Sequence, residues 1–168
     1  ITEATNISSM AKGYVRTPGI YTEAQIESWK PIPKAVHNEG GKVFMQVFHT
    51  GRIALPDLLP GNVLPVAPSP VRAKGQNYTD AGMKDFVEPR ELSREEIAAT
   101  VKDFGIAAGN AIKAGFDGVE LHAASGYLVQ QFLTTNANQR TDEYGGSIPN
   151  RSRFVLEVLE EMAGAIGS

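Results

Sequence analysis

The residues able to do chemistry in this chain are concentrated between positions 118 and 132, in GVELHAASGYLVQQF. Val119, Glu120, Leu121 and His122 alternate as a strand does, and a side-chain period of two puts Glu120 and His122 on one face. His122 ends the run and Tyr127 opens the segment that follows. A strand-end imidazole can donate to an oxygen that is gaining negative charge. A phenol, with an unperturbed pKa of about 10, stays protonated at neutral pH and can deliver a proton. Barrel enzymes hold catalytic groups at such strand ends. Each residue also has a plainer reading, His122 as a satisfied strand-end histidine and Tyr127 as a core tyrosine at a helix start. Gln46 is the polar exception in KVFMQVF, where an unpaired buried amide would be costly. Glu120, below His122 on the same face, reads as a structural hydrogen-bond partner, and His37 and His49 do not read as ligands.

The elements that must position these groups follow from pattern. Residues 1 to 7 read as a strand, and residues 8 to 21 as a loop carrying Tyr14 and Tyr21. Thr22 and Gln25 fit a capping box for a helix with Ile26, Trp29, Ala35 and Val36 on its face; Pro31 and Pro33 predict a kink or two shorter helices, and Glu39 to Gly41 a stop. Residues 42 to 48 form a second strand, with Phe44, Gln46 and Phe48 on one face and Val43, Met45 and Val47 on the other. The long Pro-, Gly- and Asp-rich stretch from 49 to 92 has the character of a binding loop or lid. Ser93 and Glu96 make a second capping box, followed by Ile97, Val101, Phe104, Ala108 and Ile112 at helical spacing and by Gly115. A strand over 116 to 122, a short helix over 127 to 133, a loop, and a helix from about 151 to 166, buried through Phe154, Val155, Val158, Leu159 and Met162, complete the chain. Alternating strands and helices mean an α/β fold with parallel strands. Polar residues on one strand face, and elaborate loops only at carboxyl ends, favour a (β/α) barrel over a doubly wound sheet. Three strand-helix units are present where a closed barrel needs eight.

Composition narrows the function classes. Hydrophobic residues at 42%, charged residues at 21% and a mean hydropathy of -0.20 describe a chain that can bury a core, and a cytoplasmic location is expected. A net charge of -3 without a basic stripe argues against nucleic acid. The absence of cysteine removes disulfides and thiolate chemistry, and no metal site is expected. No apolar run is long enough for a membrane span and no leader pattern opens the sequence. The strand-like opening ITEATNIS predicts a segment of a longer protein.

The segments EATNIS, KGY, TPGIYTEAQIESW, MQVFHTGR, AGFDGVELHAASGYLVQQFL and NQRTDEYGGSIPNRSRF, in order across the whole chain, resemble successive blocks of the Old Yellow Enzyme family, flavin-dependent ene-reductases on a (β/α)8 TIM barrel. The resemblance implies a partial barrel domain over 1 to 168 holding family strands two to four, without the first strand or strands five to eight. It implies FMN as cofactor, NADPH or NADH as reductant, and reduction of an α,β-unsaturated carbonyl or nitro compound in a ping-pong cycle. Residue by residue, Ala4 is similar to the small residue against the flavin ring and Gln46 to the amide on its pyrimidine edge. Tyr14 and Phe48 match walls of the substrate pocket, Phe48 standing where the family often has Trp. His122 matches the donor to flavin and to the substrate oxygen, and Tyr127 the proton donor. Ser125 departs from the family's His or Asn, which predicts weaker activation of the substrate oxygen or an altered substrate range. Arg140, Asp142 and Tyr144 belong to a family block and read as holding their loop. Two other readings stand beside this one: an inactive half-barrel that assembles with the remainder of a barrel or as a homo-oligomer, and a barrel hydrolase using Glu120, His122 and Ser125. The hydrolase reading lacks a GxSxG elbow and HExxH-type spacing.

Overall fold

The computed structural model describes residues 1–167. In chain order its elements are β1 (Thr5–Asn6), α1 (Glu23–Trp29), α2 (Pro31–Asn38), β2 (Phe44–Phe48), β3 (Val66–Ala67), β4 (Gln76–Thr79), β5 (Gly82–Asp85), β6 (Arg90–Glu91), α3 (Arg94–Lys113), β7 (Gly118–Leu121), α4 (Leu128–Leu133) and α5 (Ile148–Ile166). The main sheet runs β1-β2-β7, all parallel, so each helical crossover returns the chain one strand further in the same direction. A barrel is wound in this sense, whereas a doubly wound sheet reverses strand order.

Sequence period decides which side of the sheet is covered. Met45 and Val47, on one face of β2, are fully buried and join the core built by the helices. Phe104, Phe132 and Phe154 fill its centre, with the Phe132 and Phe154 rings stacked at 4.2 Å. Truncating a ring buried like Phe154 to alanine costs about 3–5 kcal/mol. The other face carries Phe44, 41% exposed, with Gln46 and Glu120 half-buried beside it.

Local chemistry accounts for the boundaries. Both predicted capping boxes form, Thr22 with Gln25 and Ser93 with Glu96. Pro31 begins a new helix after Trp29, so the proline pair divides the segment into two helices. The first strand is shorter than the pattern over 1 to 7, because the Thr2 hydroxyl accepts from Gln46 N where a backbone carbonyl would continue the ladder. The last strand starts at Gly118, since Phe116 N still caps α3 through Ala111 O. The last helix starts at Ile148, because Ser147 caps Asn150 N and Pro149 suits a first turn that needs no donor. Leu159, Ile112 and Ala35 were expected inside and lie exposed; Val158, Ala111 and Pro33 hold the buried positions of those turns.

The stretch from 49 to 92 is structured. It contains two 3-10 turns, the β4-β5 hairpin, and β3 and β6 paired in parallel. Arg140, with a side chain only 5% exposed, ties this stretch to the loop after α4. It donates to Pro68 O and Leu92 O at 3.1 and 2.7 Å, and its Nε and Nη2 fork onto the Asp142 carboxylate, which holds the Asp142 pKa below the usual range. Tyr144 completes this loop, its hydroxyl donating to Glu157. The three residues hold the loop, as their sequence block suggested.

Candidate functional site

Three rows of side chains cross the sheet face turned away from the helices, which is open at Phe44 and closed at Phe48, a ring only 2% exposed. Phe44 stands opposite Gly118 and Gln46 opposite Glu120, and the offset that pairs Thr5 with Val47 puts Ala4 beside Gln46. The next row up holds Phe48, with His122 N bonded to Val47 O at the end of β7. Gln46 donates through Nε2 to Glu120 Oε1 at 2.5 Å, which fixes the amide and leaves its carbonyl oxygen without a protein partner among the described residues. Glu120 is thus the hydrogen-bond partner that its position suggested.

Above these rows four aromatic side chains meet. His122 and Tyr127 have ring centroids 4.8 Å apart, Phe48 and Tyr127 5.3 Å, and Phe48 and His122 6.2 Å with near-parallel planes. Tyr14 reaches them from the first loop, its hydroxyl 3.0 Å from that of Tyr127. His122 Nδ1 accepts from Ala124 N at 3.3 Å. With Nδ1 accepting, Nε2 is the ring nitrogen left to donate.

Buried polar groups hold the loops that carry these rings. Asn6 donates to Thr17 Oγ1 and Pro18 O, the Thr17 hydroxyl donates to Tyr14 O, and Thr50 donates to Ala11 O. Asn77, from the β4-β5 hairpin, donates to Gly13 O. Gly13 is glycine for want of space, since a Cβ there would lie 2.2 Å from Ile53 O. On the other side, Gln131, 1% exposed, donates to Thr50 O at 3.0 Å and to Gly126 O at 2.7 Å, and accepts from Arg52 N. Gln130 accepts from Gly126 N. The two glutamines thus grip the Ser125-Gly126 turn, where both residues have positive φ, +58° and +79°. Sequence reasoning missed Gln131; the signal available was a pair of amides inside the otherwise apolar LVQQFL.

The structure brings Tyr14, Phe48, His122 and Tyr127 together, with Ala4 and Gln46 below them. It does not bring Ser125 to them: this residue is exposed, lines a separate polar pocket with Arg52, Gln130 and Asn136, and makes no hydrogen bond to the four rings among the described residues. His49 is buried, accepts from Gly51 N, and has its pKa pushed down to about 3 by burial. His37 sits at the opposite end of the sheet, where Asp117 accepts from His37, Lys42 and Val43 N. Among the described residues no group of three or more His, Asp or Glu is arranged to hold a metal, and no helix is long and apolar enough to cross a membrane.

The sequential parallel strands, with His122 and Tyr127 gathered at their carboxyl ends, define part of a (β/α) barrel. The chain belongs to the NADH:flavin oxidoreductase / NADH oxidase family, whose pattern it matches over residues 1–168. It is 48% identical over its whole length to 12-oxophytodienoate reductase 1 of Oryza sativa subsp. japonica, covering 43% of that protein. It is 46% identical to 12-oxophytodienoate reductase 2 of Arabidopsis thaliana, covering 45%. Morphinone reductase in complex with tetrahydroNAD superposes with a TM-score of 0.94 at 46% identity, over 98% of this chain and 47% of that one. The old yellow enzyme homologue from Zymomonas mobilis superposes with a TM-score of 0.95 at 43% identity, over 98% and 46%. The chain therefore spans less than half the length of these relatives, and its parallel strands and helices match about half of such a barrel.

Proposed function

We propose that this chain forms the floor and the proton-donor wall of an FMN-dependent ene-reductase, which reduces the activated C=C bond of an α,β-unsaturated carbonyl or nitro compound with NADPH or NADH. Its strands correspond in this reading to strands two to four of the barrel. The observation that carries it is the group of His122 Nε2-H, the Tyr127 hydroxyl and the Phe48 ring above a sheet face on which the Gln46 amide has a free carbonyl oxygen.

The residues present fit a flavin. Ala4 leaves room for a flat ring, and the Gln46 carbonyl and remaining N-H offer one acceptor and one donor to an edge with alternating N-H and carbonyl groups. Bound FMN would supply hydride chemistry between the nicotinamide and the substrate β-carbon. His122 then donates from Nε2 to the substrate oxygen, and a donor already aimed there stabilises the growing negative charge without reorganising. Tyr127 delivers its proton to the α-carbon. Phe48 and Tyr14 wall the pocket, exclude water and orient the substrate.

The test is reduction of 2-cyclohexenone by the full-length, flavin-loaded enzyme that carries this chain. His122→Ala and Tyr127→Phe are each expected to slow it by about 10²-fold or more, the range for loss of an oxyanion donor or a general acid. Wild-type turnover by both variants refutes the reading. A second reading, that residues 1 to 168 alone are an inactive half-barrel, is favoured by Phe44, which lies 41% exposed on a face that a closed barrel would bury. A hydrolase is not supported, since the Ser125 hydroxyl has no bond to His122 among the described residues.

A further inference from the structure

Two phenols at 3.0 Å share one hydrogen bond, so one of them is the donor. Tyr14 is half-buried, and burial first, then the bond to Tyr127, raises its pKa. Tyr14 therefore keeps its proton throughout the neutral range. Its hydroxyl has no other protein partner among the described residues. Nor is its loop free to swing away, since Asn6, Thr50 and Asn77 hold it on both sides. The rings meet edge to face, 79° apart, so the shared bond is compatible with an outward-facing lone pair or proton on Tyr127.

We propose that Tyr14 donates to the Tyr127 oxygen and acts as a positioning and proton-supply residue: it turns the Tyr127 O-H toward the pocket, stabilises the phenolate formed there, and is the route by which the proton is replaced. This rests on Tyr127 being the proton donor. As the α-carbon C-H bond forms, the Tyr127 O-H bond breaks and its electron pair stays on the phenolate oxygen. That oxygen takes the proton of Tyr14, and Tyr14 takes one from water. One solvent proton is consumed per turnover, and neither tyrosine is oxidised or reduced.

A nitroalkene separates the steps, because hydride addition leaves a nitronate that persists in water and absorbs light. Its formation reports hydride transfer; its decay on the protein reports protonation. In the full-length, flavin-loaded enzyme that carries this chain, Tyr14→Phe keeps the ring, and is expected to slow nitronate protonation and enone turnover about tenfold, the loss of one charge-assisted hydrogen bond. Nitronate formation, flavin reduction by NADPH and the enone KM are expected to stay within about twofold, a split that a packing defect would not give. Without substrate, the ¹³Cζ resonance of Tyr127 is expected to shift in Tyr14→Phe. If Tyr14→Phe fails to fold, 3-fluorotyrosine placed at position 14 keeps ring and hydroxyl and is expected to alter protonation while leaving nitronate formation unchanged. Wild-type protonation in Tyr14→Phe, or in the fluorotyrosine protein, together with slow protonation in Tyr127→Phe, overturns the role of Tyr14 alone. Wild-type protonation in Tyr127→Phe overturns the proton-donor reading and this inference with it.

Discussion

Replacing Gln131 with leucine preserves the volume of a side chain that is 1% exposed and removes its polar atoms. Three hydrogen bonds go: to Thr50 O, to Gly126 O and from Arg52 N. They are not equal. Thr50 O still accepts from Ile53 N, whereas Gly126 O and Arg52 N lose the partner that Gln131 gave them. At about 1 kcal/mol per bond the loss is about 3 kcal/mol. The apolar atoms that leucine buries return about 1 kcal/mol, for a net destabilisation of about 2 kcal/mol. The functional consequence exceeds the stability change, because these bonds join the loop after β2 to the Ser125-Gly126 turn between His122 and Tyr127. A catalytic group displaced by about 1 Å costs on the order of 10²-fold. Urea unfolding of the full-length, flavin-loaded enzyme that carries this chain, followed by enone turnover measured where the variant is fully folded, reads the two effects separately. A Gln131→Leu protein within about 0.5 kcal/mol of wild type and with unchanged turnover refutes the clamp.

Other perturbations give equally definite outcomes. Asp117, held well below the usual carboxylate range by Val43 N and then by His37 and Lys42, stabilises the fold fully above the unfolded carboxylate pKa of about 4 and loses that contribution as pH falls through its lower folded value. Asp117→Asn is therefore expected to flatten the acid limb of a stability-against-pH curve, and an unchanged limb contradicts this. Ser125→Asn puts a residue that tolerates left-handed backbone at φ +58° and restores an amide donor. Raised stability is expected, and because Ser125 lines a pocket apart from the four rings, ligand affinity and cyclohexenone turnover are expected to stay unchanged; a clear gain in either shows that position 125 reaches the substrate. Residues 1 to 168 alone are expected to bind FMN weakly and to show no NADPH oxidation; a stoichiometric yellow complex with reductase activity defeats that expectation.

Much of this arrangement was legible in the sequence, for local reasons. A period of two placed Gln46 with Phe44 and Phe48, and Glu120 with His122, and the register of β2 against β7 then made Gln46 and Glu120 neighbours. The capping boxes fixed two helix starts because both partners lie within one turn. What escaped depends on partners distant in the chain. Nothing local says that Tyr14 touches a residue 113 positions away, or that Asn77 reaches Gly13. The fold of 49 to 92 escaped for the same reason: β3 and β6 pair across an intervening hairpin and are anchored by Arg140 from beyond α4. Ser125 was placed by motif position, while its side-chain direction follows from a left-handed backbone that spacing does not reveal.

The polar row on the open sheet face has a consequence for association. In these residues the helices cover one side of the three strands and leave Phe44 on the other exposed to solvent and to neighbouring chains. Phe44 alone would make that side adhesive. Glu120, held against Gln46 one step along the strands, sets an inward charge there, and a buried charge is the toll on stacking two such sheets face to face. The polar pair to which the proposed function gives a flat cofactor is thus also placed as a gatekeeper against sheet-on-sheet association.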